Sequence, residues 1–151
     1  SLVVLGLENH AGGVPKDTTR NIAETGEFVV NIATPDLNAA MVATAAAYAP
    51  DTSEPEVLGL ALAPSAKVAP PRLAEVPVAL ECRKLTGLSF SQERELLVGE
   101  VVGLASRDGL IDADSLHVDW QGNYPVARLF ADRYARLEEI DRQAIPQPKA
   151  P

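Results

Sequence analysis

The residue types best suited to chemistry stand together in one segment, Gly12-Gly13-Val14-Pro15-Lys16-Asp17-Thr18-Thr19. A glycine-rich loop that runs into a helix leaves the first backbone N–H groups of that helix without partners, at the positive end of its dipole. Lys16 adds a full positive charge, and Thr18 and Thr19 add hydroxyl donors. Together these are the parts of a phosphate cradle. The spacing is not that of a P-loop, because GxxxxGK[ST] is absent. A second account fits the same residues: Asp17 or Thr18 caps a helix, and Lys16 is simply solvated. Asp17 also opposes an anion unless its carboxylate turns away. The local pattern leaves both accounts open.

Elsewhere the sequence offers little that could run a reaction unaided. His10 and His117 are far apart, with no carboxylate or cysteine at ligand spacing, so a metal centre is not expected and both read as surface histidines. There is no GxSxG, no HExxH and no Cys–His pairing with a nearby acid. The carboxylate pairs Glu138-Glu139 and Asp112/Asp114 read as solvated, the first on a charged helix face and the second in a loop. Arg128 and Arg133 fall near Tyr134, where they could reach a ligand or a partner subunit, though surface or ion-pair roles fit them as well. No catalytic residue is named on these grounds. A chain without its own acid–base machinery suits a protein whose reactive centre is a borrowed cofactor.

The elements that must position these groups follow from changes in hydrophobic period. Ser1–Leu7 reads as a strand already at full stride, which leads us to expect that residues precede it. Glu8–Pro15 reads as a loop and Asp17–Thr25 as a short helix stopped by Gly26. Glu27–Ala33 is a strand rich in β-branched residues. Leu37–Tyr48 reads as a helix opened by Pro35, with Leu37, Met41 and Ala45 on one face, and Glu54–Leu60 as a further helical turn or two with Val57, Leu58 and Leu60 pointing inward. Ala63–Pro77 carries Pro64, Pro70, Pro71 and Pro77 and must be extended or turned. Val78–Leu88 and Leu96–Ser106 are long strands forming a hairpin. Arg107-Asp108-Gly109 is a turn before a short strand at Leu110-Ile111, and 112–123 is a polar loop around Trp120. Ala127–Asp141 has helical character, with Leu129, Tyr134 and Leu137 as buried candidates. Residues 1–143 thus read as one domain, mainly β with short helices, and 144–151 as a Pro-rich tail or an arm across a partner. A closed or partly closed antiparallel barrel fits this order best.

Bulk properties narrow the class. The chain has 151 residues, 46% of them hydrophobic, enough for one domain with a substantial core. No apolar run reaches the roughly 20 residues of a membrane helix. A net charge of −8 argues against nucleic acid, since phosphate neutralisation needs a basic face. The single cysteine, Cys82, excludes an internal disulfide and reads as an inert core thiol. A free thiol and the lack of a secretion signal point to the cytoplasm.

Several stretches taken in order resemble the flavin reductase-like family of FMN-binding split barrels. They are Pro15–Ile22 (PKDTTRNI), Thr25–Ile32 (TGEFVVNI), Glu54, Gly59-Leu60, Pro71-Arg72, Glu75, Pro77, Leu80–Cys82 (LEC), Leu97–Val102 (LVGEVV), Val126–Leu129 (VARL) and Tyr134–Arg136 (YAR). The resemblance implies a six-stranded antiparallel Greek-key barrel that forms a homodimer with FMN near the subunit interface. It implies an NAD(P)H-dependent flavin reductase (NADH or NADPH as donor), in many members supplying reduced flavin to a monooxygenase. In other relatives the flavin is carried as an electron store, and a flavin-free dimeric interaction module is the third reading. Lys16, Asp17 and Thr18 match the family's phosphate-side motif, and the resemblance favours the phosphate account of that turn. Members usually begin with a further strand and an Asn/Ser-rich loop that cradles the isoalloxazine ring. Nothing here corresponds to it, so the chain reads as N-terminally incomplete. One branch carries a histidine just before the Val-Gly-Glu-Val strand, where this sequence has Arg94.

Overall fold

A computed structural model describes residues 1–50, 52–115 and 117–147. Its framework is a four-stranded, fully antiparallel sheet of β1 (Leu2–Glu8), β2 (Glu27–Ile32), β5 (Val78–Ser89) and β6 (Arg94–Ser106), in the order β1-β6-β5-β2. Two small ribbons accompany it: β3 (Leu62–Ala63) with β4 (Arg72–Leu73), and β7 (Ala127–Arg128) with β8 (Tyr134–Ala135). Three short helices, α1 (Asp17–Thr25), α2 (Asn38–Ala43) and α3 (Glu54–Val57), complete the elements used below.

Strand alternation sorts the side chains into two faces. Phe28 of β2, Cys82 of β5 and Leu97 of β6 turn inward and close over Ile22 of α1, with Val3, Leu5, Leu7, Val30, Leu80 and Val101 around them. Leu5 and Val30 sit on opposite edge strands, yet both border one cavity, so the sheet curls until its edges approach one another. The result is a half-barrel. α1 ends where expected: Gly26, at φ +69°, donates its N–H to the Ile22 carbonyl at 2.9 Å and releases the chain directly into β2.

The opposite face of β2 and β5 is covered by the proline-rich segment between β3 and β4. This segment has almost no secondary structure of its own, so its backbone groups must find other partners. Glu81, buried on β5, accepts the N–H groups of Ala66 and Lys67 at 2.6–3.1 Å. Glu27 of β2 accepts that of Ala69 at 2.8 Å, and Arg83 donates to the Lys67 carbonyl at 2.8 Å. On β1, by contrast, the outward residues Leu2 and Val4 stay 66% and 58% exposed.

Several expectations are corrected. The helix expected over Leu37–Tyr48 is regular only from Asn38 to Ala43, preceded by a 3-10 turn at Pro35–Leu37. Ala45, Ala46 and Ala47 are exposed and bring nothing to bury, so the pattern has no packing to sustain it. The inward set in 54–60 is also smaller than expected, because α3 stops at Val57 and that side chain is exposed. Finally, 127–141 is not helical. It folds into the β7–β8 ribbon, whose turn is held by Arg128 donating twice to the Ala131 carbonyl at 2.9 and 3.1 Å. Leu129 is 64% exposed and Leu137 about half exposed, so the apolar spacing there has no core to face. Glu138-Glu139 accordingly lies on irregular chain and not on a helix face. Ile111 makes a single bridge to Val118 in place of a short strand. Residues 144–147 are irregular, and the rest of the Pro-rich tail, 148–151, lies outside the described residues.

Candidate functional site

Beyond the β2 edge of the sheet, α2, the start of α3 and the β3–β4 ribbon enclose a cleft with two chambers. The apolar chamber, about 370 Å³, is walled by Leu5, Val30, Leu37, Met41, Leu60 and Val76. The other, about 480 Å³, is more polar and is walled by Thr18, Ser53, Glu54 and Pro71. Asn31, Thr44 and Leu73 border both and form the waist between them. Each chamber falls within the size range of small-molecule and cofactor sites.

Thr18 reaches this cleft from the start of α1. Lys16 occupies the N-cap position in extended conformation (φ −69°, ψ 160°), and its side chain makes no capping bond. The expectation that Asp17 or Thr18 caps the helix therefore gives way to a different arrangement. Both already lie inside the first turn, and Asp17 pairs with Arg20 one turn on, a partly exposed ion pair. A lysine ammonium has only donors and cannot satisfy the leading N–H groups of a helix. The start of α1 is left with unsatisfied donors beside an exposed lysine and an exposed threonine hydroxyl. Of the three motif residues, only Thr18 borders the polar chamber. Glu54 is the one carboxylate on that chamber's wall.

Asn31 came from a strand whose polar member drew no notice in the sequence (EFVVNI), and Thr44, Ser53 and Leu73 from segments that read only as structural. Asn31 Oδ1 accepts the Leu73 N–H at 3.0 Å, tying β2 to β4 across the waist. The Thr44 hydroxyl donates to the Met41 carbonyl at 2.8 Å as α2 ends. Nearby, Glu27 has its carboxyl held below the usual range, first by the Ala69 N–H and then by the Arg83 guanidinium at 3.1 Å. The signal that would have found Asn31 is a lone amide among β-branched residues at a strand end.

The other titratable groups do not converge on the cleft. His10 lies in the loop before α1 and His117 beside the Ile111–Val118 bridge. Asp112 accepts the N–H groups of Asp114 and Ser115 and the Ser115 hydroxyl in a turn of its own. Among the described residues, no group of three or more His, Cys, Asp or Glu stands close enough to hold a metal. Arg128 is spent on Ala131, Arg133 flanks the same turn, and Arg94 pairs with Glu8 across the β1–β6 ladder. No described helix is long and apolar enough to cross a membrane.

The sequence of residues 2–128 matches the model of the flavin reductase like domain. The chain belongs to the flavin reductase-like family. An uncharacterised protein of Deinococcus radiodurans is 39% identical over 119 residues, an alignment covering 78% of this chain and 52% of that one. The chain thus spans about half the length of that relative. Among solved structures, it is similar to the 2-nitrobenzoate 2-nitroreductase of Pseudomonas fluorescens (TM-score 0.82, 32% identity, 99% of this chain and 72% of that one). It is also similar to nitrilotriacetate monooxygenase component B of Bacillus cereus (TM-score 0.84, 31% identity, 94% and 71%). The curled sheet with short helices is therefore the split-barrel fold of flavin reductases, mainly β as its sequence implied.

Proposed function

We propose that the protein is a flavin-binding oxidoreductase that takes FMN and acts as an NAD(P)H-dependent flavin reductase. The observation that carries this is the uncapped start of α1 opening, through Thr18, onto a two-chambered cleft in a flavin reductase-like chain. The backbone N–H groups of the first turn, the Lys16 ammonium and the Thr18 hydroxyl would hold the phosphate. Asp17, turned to Arg20, is drawn aside from the anion. The apolar chamber offers Leu37, Met41 and Leu60 to an aromatic ring and keeps water from it. Bound flavin supplies the redox chemistry, accepting hydride from the nicotinamide, and the chain's own groups bind and orient.

The similarity to nitrilotriacetate monooxygenase component B supports delivery of reduced flavin to a separate monooxygenase as the physiological role. A homodimer accords with the exposed apolar residues of β1 and with its second edge, which pairs with no described strand.

The deciding experiment is oxidation of NADH or NADPH with FMN as acceptor, followed at the nicotinamide band. Turnover with one donor is expected, and its absence with both would sink the reductase reading. Binding tests the phosphate end separately. Lys16→Ala should weaken FMN roughly tenfold, as loss of one charge-assisted hydrogen bond does, and leave riboflavin, which has no phosphate, unchanged.

A further inference from the structure

The waist of the cleft has a hydrogen-bonding pattern that selects one kind of chemical group. At Asn31 the orientation of the amide is settled by its partner: the Leu73 backbone N–H can only donate, so the oxygen faces it, at 3.0 Å. The two Nδ2 hydrogens are then left over, and no described residue accepts them. Nδ2 is not among the buried polar atoms without a partner, so it keeps open surface. Thr44 presents the opposite case. Its hydroxyl hydrogen is committed to the Met41 carbonyl at 2.8 Å, which leaves only the oxygen lone pairs to offer. Both residues border both chambers, so a ligand that spans the cleft passes both, one with donor capacity left over and the other with acceptor capacity.

We infer that Asn31 and Thr44 recognise a hydroxyl-bearing linker, namely a polyol chain joining an aromatic ring in the apolar chamber to an anionic group at the Thr18 end. A hydroxyl donates and accepts at once and satisfies both residues. A carboxylate cannot donate to Thr44, and an alkyl chain would leave both groups desolvated and unpaired, which costs more than the bonds themselves are worth. Leu73 and Pro71 on the β4 side restrict the passage further, since the Asn31–Leu73 bond holds that wall against β2. The inference rests on the flavin reading of the cleft and makes it more specific: the ribityl chain, and not only the ring and phosphate, is read by the protein. Asn31 and Thr44 are positioning residues, and neither is asked to take part in hydride transfer.

The test measures binding of riboflavin and of lumiflavin, whose ring carries a methyl group in place of the ribityl chain, to the 151-residue chain by quenching of flavin fluorescence. Asn31→Asp keeps an acceptor for the Leu73 N–H and replaces the free donor with a second acceptor. Thr44→Val keeps the shape and removes the hydroxyl, and Thr44→Ser restores it. The expected result is a loss of about tenfold or more in riboflavin affinity in Asn31→Asp and Thr44→Val, with lumiflavin unchanged and Thr44→Ser close to the original. Unchanged riboflavin affinity in both variants would overturn the inference. A parallel loss for riboflavin and lumiflavin would overturn it too, since that reports a collapsed wall and not a lost polyol contact. If the unaltered chain binds neither flavin nor FMN, the flavin reading itself fails, an outcome visible before any variant is made.

Discussion

Gly99 lies against the tip of the Phe28 ring: a Cβ placed on Gly99 would stand 2.5 Å from the Phe28 Cζ. The two residues are on neighbouring inward positions of β6 and β2, across β5, and Phe28 is a member of the buried cluster with Ile22, Cys82 and Leu97. A glycine inside a strand ordinarily weakens it, and here the ring needs the space. Gly99→Ala should therefore destabilise the fold by about 1–3 kcal/mol, the range for overpacked cores. Phe28→Leu in the same chain should recover part of that loss, so the two changes should be non-additive in urea melts. Additive effects would show that the ring moves freely aside.

The proline-rich segment should loosen in acid. The Glu27 carboxyl is held below its ordinary value by the Ala69 N–H and by Arg83, so its charged form is favoured in the folded state. A depressed pKa contributes stability above the unfolded value, about 4.3 for Glu, and that stability is lost as pH falls through the folded value. Amide exchange at Ala69, measured at matched intrinsic rates, should accelerate below about pH 4 relative to pH 7. Glu27→Gln should flatten that dependence.

Cys82 should resist thiol reagents in the native state. It is fully buried at 0% exposure, and burial raises its thiol pKa, which suppresses the reactive thiolate. Labelling with a disulfide reagent at pH 8 should be at least tenfold slower than in denaturant, and its rate should follow global opening of the sheet. Rapid stoichiometric labelling of folded protein would contradict the packing described.

The β1 face should govern association. Val4 pairs in register with Val98 and, with Leu2, presents apolar side chains outward on a strand with one open edge. If this face meets a second copy, Val4→Lys should shift sedimentation towards the monomer while leaving the far-ultraviolet spectrum unchanged. An unaltered dimer would place the interface elsewhere.

The periodicity of residues 17–32 determined by itself a helix, a left-handed glycine stop and a strand, because Gly26 and the β-branched run act through local backbone sterics. The same holds for the two long strands of the hairpin, whose boundaries match the sequence reading within two residues. The order of motifs along the chain was also enough to place it in its family. Only the tertiary structure decided which strands are neighbours: β1 pairs with β6 and β2 with β5, contacts between residues some 50 to 100 positions apart that no local pattern encodes. It also decided against the helix over 127–141, where apolar residues at helical spacing found no surface to bury. The site divides in the same way. Lys16, Asp17 and Thr18 were visible as a turn because their chemistry is contiguous. Asn31 and Thr44 come to border the cleft only in the folded chain, where Leu73 and Met41 take up one half of each side chain's hydrogen-bonding capacity.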